Sequence, residues 1–186
     1  MKIGFQGDIG SHSEAATQKF VQNFNFSCVE QFPLLNSKNV VEALEKGQID
    51  YGVMATENSV VGEVSETRGA LNNNIEMLGE IKLPIHHCLF IKSKDAQIDF
   101  VASHIQALKQ TAQTRRKILP EAKEVVCVDT ALAAKMLSGG DYPQNYAVIC
   151  RQNAGLHYHL NLYAKNIEDD PSNETTFGLF ALRKNK

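Results

Sequence analysis

The sequence predicts an α/β protein of two lobes with largely parallel sheets. Short apolar runs of strand length alternate with segments of helical period along the whole chain. Turn residues punctuate the alternation. A break near residues 78–82 divides it, so residues 1–79 with a returning segment of about 161–186 make a first lobe and 80–160 a second. A chain of 186 residues suffices for two such lobes.

Lys2–Phe5 is a short apolar strand, and Gly7 to Gly10 a turn. Ser11 stands three residues before Glu14, a capping-box spacing that opens a helix to about Phe24. Cys28–Phe32 reads as a strand. Asn39–Lys46 reads as a helix with Val40, Val41 and Leu44 on one face and Gly47 as its stop. Tyr51–Ala55 is a compact buried strand and Glu66–Leu71 a short helix. Glu80–Lys92 is one strand, or two broken near Pro84. Phe100–Ala102 is a strand, and the Ser103–Gln106 spacing suggests a second capping box, opening a helix to about Leu119. Val125–Val128 is a strand, with Asp129 or Thr130 capping the helix Ala131–Leu137 and Ser138-Gly139-Gly140 ending it. Tyr146–Cys150 is a strand and Ala154–His159 a short helix. Strands at Leu162–Ile167 and Thr175–Leu182 close the chain.

Composition narrows the function classes. Apolar residues at 43% and charged residues at 22% are ordinary globular values, which argues against disorder and disulfide scaffolds. Lys and Arg number 19 against 21 Asp and Glu, so no basic field exists to draw nucleic acid. No apolar run reaches the roughly 20 residues of a membrane helix, and the N-terminus lacks a signal-peptide core. A soluble, cytoplasmic protein without membrane or nucleic-acid partners is expected. Cys28, Cys88, Cys127 and Cys150 form no CxxC pair and read as buried reduced thiols. His86-His87-Cys88 is the one tight cluster of metal-ligand types, and strand alternation prevents all three from sharing an ion. No metal is expected.

Chemistry concentrates where strands hand over to helices. In open α/β sheets ligands sit beyond strand carboxyl ends, facing helix N-termini. Ser11-His12 and Ser103-His104 each follow a strand and open a helix. Helix N-termini carry unpaired N–H groups that attract carboxylates. Both serines also read as plain caps. Glu57-Asn58-Ser59 follows the buried strand, either as a ligand loop or as turn chemistry. Asn173-Glu174-Thr175-Thr176-Phe177 places two hydroxyls at the start of the last strand. Dinucleotide, phosphate-loop and nucleophile-elbow motifs are absent.

Five segments in order resemble the catalytic domain of prephenate dehydratase. Gly7-Asp8-Ile9-Gly10-Ser11-His12-Ser13-Glu14-Ala15-Ala16 resembles GPEGTFSExAA, and Asp50-Tyr51-Gly52-Val53-Met54-Ala55-Thr56-Glu57-Asn58-Ser59 resembles DYGVVPxENS. Ser103-His104-Ile105-Gln106-Ala107-Leu108-Lys109-Gln110 resembles SHPQALxQ. Asp129-Thr130-Ala131-Leu132-Ala133-Ala134-Lys135 resembles STAxAAK. Asn166-Ile167-Glu168-Asp169, followed by Asn173-Glu174-Thr175-Thr176-Phe177, resembles NIxD…NxTRF. The resemblance implies two α/β lobes similar to type-2 periplasmic binding proteins, with the active site in the inter-lobe cleft. It implies loss of CO2 and water from prephenate to give phenylpyruvate, on the route to phenylalanine, without cofactor or metal. It implies Thr175 as the catalytic threonine near the leaving oxygen, with Asn58, Gln110 and Ser103 as polar active-site residues. Ser11, Ser13, His12, Glu57, Ser59, His104, Thr176 and Phe177 are the expected substrate-binding set. A homodimer is expected.

The sequence departs from the pattern in places. Thr176 stands where the pattern has Arg, replacing a planar carboxylate clamp by one hydroxyl. His12 and Arg68 are the substitutes that the sequence offers. The sequence ends at Lys186, where most members continue into an ACT domain that binds phenylalanine, so feedback through that domain is not expected. Four other readings remain: a non-aromatising prephenate decarboxylase, which the retained Thr175 disfavours; an arogenate dehydratase; a small-anion binding module on the same scaffold; and a degenerate structural homologue.

Overall fold

The computed structural model describes residues 1–183; the last three positions of the expected first lobe lie outside the described residues. The strands are β1 (Lys2–Phe5), β2 (Glu30–Pro33), β3 (Tyr51–Asn58), β4 (Gly62–Glu63), β5 (Ile75–Pro84), β6 (Cys88–Ile91), β7 (Phe100–His104), β8 (Lys123–Cys127), β9 (Tyr146–Cys150), β10 (Asn161–Ala164) and β11 (Glu174–Leu182). The helices are α1 (His12–Asn23), α2 (Ser37–Glu45), α3 (Ser65–Ala70), α4 (Ile105–Gln110), α5 (Ala112–Ile118), α6 (Thr130–Gly139) and α7 (Gln152–His157).

The chain divides into two compact units. The first holds residues 1–7, 12–84 and 174 onward; the second holds 8–11 and 85–173. The crossings therefore fall at Pro84 and Asn173, later than the residue-80 and residue-160 boundaries read from the sequence. β5 extends through Pro84 because its whole length pairs with β11.

The first unit carries a sheet in the order β2-β1-β3-β11-β5, with β4 on β3. β1 is parallel to β2 and β3, but β11 is antiparallel to both β3 and β5. The sheets are thus mixed rather than largely parallel. β5 and β11 are joined by the whole second unit rather than by one crossover helix, so no βαβ connection makes them parallel, and in the second sheet β6 is antiparallel to both β10 and β9. Val40 and Leu44 of α2 pack with Met54, Ile75 and Phe180 on one face of this sheet.

The second unit carries β10-β6-β9-β7-β8. Its sheet is covered on both faces. α6 lays Ala131, Ala134 and Leu137 against Phe90 and Val148. α4 lays Ala107 and Leu108 with Leu89, Val101 and Ile149. The alternation of small and large side chains lets helix and sheet approach closely. Among the described residues no helix is long and apolar enough to cross a membrane.

Asp129 caps α6, its Oδ1 accepting Leu132 N–H at 2.7 Å and Asp8 N–H at 3.3 Å. Burial, with the Asp8 carboxylate adding repulsion, pushes its carboxyl up from 3.8 to about 6. Lys135 answers Asp8 at 3.1 Å. A raised folded-state value means that the protonated form favours folding. That contribution is complete below about pH 4 and disappears as pH rises through about 6, a change of about 3 kcal/mol. Asp129→Asn keeps the capping oxygen and removes the buried charge. The variant is expected to be more stable than the parent at neutral pH. The difference between the two should shrink below about pH 5 in urea titrations at several pH values. A constant difference across that range would contradict the assigned cause.

Candidate functional site

β3 and β11 run antiparallel, with Thr175 opposite Asn58 and Thr176 opposite Glu57. Successive strand residues face opposite sides of a sheet. Thr175 and Asn58 therefore share one face, and Thr176 lies on the other.

Asn58 Oδ1 accepts the N–H groups of Val60 and Val61 at 3.0 and 3.2 Å. Those donors fix the amide orientation, since only a carbonyl oxygen can accept them. Asn58 Nδ2 then donates to Thr175 Oγ1 at 2.8 Å and to Glu174 O at 2.9 Å. Both side chains are buried, at 4% and 8% exposure. A hydroxyl that accepts this bond keeps its own proton for another acceptor, and receiving a bond makes it a better donor. Ser59 reinforces the junction. Its N–H donates to Glu174 O at 2.9 Å, and its hydroxyl accepts Glu174 N–H at 2.9 Å. Its oxygen is thereby used to hold the strand start. Phe177 is buried in the first unit.

The turn and α1 hold the next group. Ser11 is buried just ahead of α1, its N–H donating to Asp8 O at 3.1 Å. His12 opens the helix half-buried, and Ser13 is buried within it, its carbonyl accepting the Thr17 hydroxyl at 2.9 Å.

In the second unit the expected Ser103 capping box does not form. β7 runs on through His104, and the fully buried Ser103 hydroxyl donates to Ile149 O of β9 at 2.6 Å. His104 is the cap instead, its Nδ1 accepting Gln106 N–H at 3.3 Å. Its single proton committed to the sheet, Ser103 cannot also donate to a ligand.

Gln110, at the end of α4, is held by a residue that the sequence marked only as part of the His86-His87-Cys88 cluster. His87 Nε2 lies 2.9 Å from Gln110 Oε1. A carbonyl oxygen only accepts, so Nε2 carries the hydrogen and the amide NH2 of Gln110 is directed elsewhere. Burial lowers the His87 pKa, against the raising influence of the Gln110 bond and the Glu168 charge. Its ring is neutral at pH 7. His87 is itself fixed, donating its N–H to Glu168 Oε2 at 2.9 Å and accepting Ile167 N–H at 2.9 Å. Glu168 Oε1 also meets His86 Nδ1 at 2.7 Å. Nothing local in Ile85-His86-His87 marks these partners, because all of them are distant in sequence. Among the described residues no three His, Cys, Asp or Glu side chains converge as metal ligands would.

Two mixed α/β sheets, each with its own packed helices, have the fold of periplasmic-binding-like domains. The periplasmic VFT2 domain of BvgS from Bordetella pertussis shares this fold, at a TM-score of 0.51 and 14% identity over 98% of this chain and 80% of that one. The family model for prephenate dehydratase matches residues 3–185, and the chain belongs to that family. It is 32% identical to arogenate dehydratase 4, chloroplastic, of Arabidopsis thaliana, over 97% of this chain and 42% of that protein. It is 30% identical to the prephenate dehydratase of Lactococcus lactis subsp. cremoris, over 99% of this chain and 64% of that protein. A solved prephenate dehydratase from Arthrobacter aurescens, in complex with L-Phe, superposes at a TM-score of 0.83 with 26% identity, covering 100% of this chain and 61% of that one. The chain thus spans less than two thirds of the length of these curated relatives.

Proposed function

We propose that this chain catalyses the decarboxylating dehydration of prephenate, giving phenylpyruvate, CO2 and water. The Asn58–Thr175 pair carries this reading. As the ring carboxylate leaves as CO2, its bonding electrons enter the ring and the ring C–O bond breaks. The departing hydroxyl needs a proton or a strong hydrogen bond. Thr175, with its oxygen already occupied by Asn58 Nδ2, offers its hydrogen to that oxygen. A threonine hydroxyl is too weak an acid to give up its proton outright, so its role is a hydrogen bond that strengthens as charge develops, and the departing hydroxide takes one proton from solvent to leave as water. Aromatisation supplies the driving force.

Gln110 is the second group assigned to catalysis, with His87 as its positioning residue. Replacing His87 by Leu should lower kcat by about tenfold or more, because a free amide adopts several orientations. His87→Gln, which can restore an N–H donor, should recover part of the loss. A structural role alone would show as lost stability with no such rescue.

Arogenate is the second substrate reading, favoured by the 32% identity to a plant arogenate dehydratase. Purified protein incubated separately with prephenate and with arogenate decides between them, with phenylpyruvate and phenylalanine as the respective products. Consumption of neither substrate by folded protein would overturn the dehydratase reading. Consumption without an aromatic product would point to decarboxylation alone.

A further inference from the structure

On the sheet face opposite Thr175, the first unit has a cavity of about 730 Å3 that the proposed reaction does not use. Its geometry begins with a bulge. Glu57 pairs with Thr176, but the next residue of β11, Phe177, pairs with Ala55, which leaves Thr56 as an extra residue in β3. A bulge brings neighbouring side chains towards the same face. Thr56, Glu57 and Thr176 accordingly line the cavity together.

The lining of the cavity mixes apolar and acidic side chains. Ile75, Met77 and Phe180 supply the apolar part of the lining, and Glu57, Glu76 and Glu80 the acidic part. Glu63 also lines it, but ion-pairs with Arg68 at 2.5 Å. Glu57, Glu76 and Glu80 have no ion-pair partner among the described residues. Arg183 is the cation on the lining, and Lys82, opposite Thr176 on β5, is exposed and outside it. A second observation is independent of the carboxylates. Thr176 is 8% exposed, and its hydroxyl has no hydrogen-bond partner among the described residues. Thr176 Oγ1 is not one of the fully enclosed unpaired atoms, so this unpartnered hydroxyl opens onto the cavity that its residue lines.

We infer that this cavity binds a small organic cation, an alkylguanidinium or alkylammonium with a short apolar chain. The chain lies on Ile75, Met77 and Phe180, the cationic head meets Glu57 and Glu80, and the Thr176 hydroxyl accepts one of its N–H groups. The resembled motif has Arg at this position. From the same backbone an arginine would carry its own guanidinium to those glutamates. Thr176 leaves that space unfilled, and Arg183 is a single cation against Glu57, Glu76 and Glu80 on the lining, so a ligand supplies the further positive charge.

The probe is n-propylguanidinium, an arginine side chain without its backbone, titrated by calorimetry at matched ionic strength. Saturable binding with Kd at or below about 1 mM is expected, weaker by about tenfold for guanidinium itself, which has no apolar chain. Thr176→Arg, confirmed folded by circular dichroism, should abolish binding by placing a tethered guanidinium in the cavity. Should that variant fail to fold, the double variant Glu57→Gln/Glu80→Gln decides, because both side chains are exposed. It should weaken binding by about tenfold or more. No saturable binding to the unmodified chain, or unchanged affinity in whichever variant folds, would overturn the inference. The readout is binding, so it stands or falls apart from the dehydratase reading.

Discussion

Thr175→Val should leave the fold intact and lower turnover of prephenate by about 10²–10³, the usual cost of removing one hydrogen-bond donor to a developing oxyanion. Valine matches threonine in shape and keeps the β-branched side chain that a strand favours. The variant removes one acceptor from Asn58 Nδ2, which retains Glu174 O at 2.9 Å. The stability cost should therefore be about 1 kcal/mol. Thr175→Ser restores the hydroxyl and should recover most of the turnover. The loss should fall on kcat rather than KM, because the bond to the leaving oxygen strengthens only as the C–O bond breaks. Equal kcat for the valine variant would remove Thr175 from the mechanism and leave Asn58 as a turn residue.

Gly10→Ala should be among the most destabilising single methyl additions in this chain. Gly10 has φ +89, where a side chain is strained, costing about 1–3 kcal/mol. An added Cβ would also stand 2.4 Å from Ala154 Cα and 2.7 Å from Ala154 N. Those are backbone atoms of α7, so no rotamer change relieves the clash, and overpacking adds about 1–3 kcal/mol. The sum is about 2–6 kcal/mol, comparable with the whole stability of a small domain. Gly47→Ala provides the control. Gly47 also has positive φ, +64, but nothing lies within 4 Å of an added Cβ. Urea unfolding of the two variants should therefore separate strain from packing. Equal losses would mean that residues 8–11 yield rather than resist.

The motifs place most of the chemistry in the sequence, yet their grouping follows from strand pairing. Thr175 and Thr176 are adjacent in a string of letters. Alternation in β11 sends one hydroxyl to Asn58 and the other to the opposite cavity. Glu57 and Asn58 part company in the same way on β3. The bulge at Thr56 was not legible, because it is a mismatch in count between two strands far apart in sequence. Ser103 failed as a cap for a related reason. Its spacing to Gln106 satisfies a capping box, but β7 continues past it and β9 offers Ile149 O, so the sheet takes the hydroxyl. His87 was legible only as a member of the His86-His87-Cys88 cluster, since its role comes from Gln110, twenty-three residues away.

What the sequence alone decided was the succession of elements. Lys2–Phe5 and Tyr146–Cys150 are strands at their read bounds, and α1, α2 and α6 form close to where the sequence puts them, α2 starting at Ser37 under an Asn36 cap that was not read. These depend on neighbours within a turn or two, so local physics suffices. Only the tertiary structure decided that β11 runs antiparallel between β3 and β5, which hydroxyl Asn58 holds, and where a buried carboxyl sits near pH 6. Each of these is set by a partner brought close by folding, and hydrogen bonds, burial and charge act through distance in space rather than position along the chain.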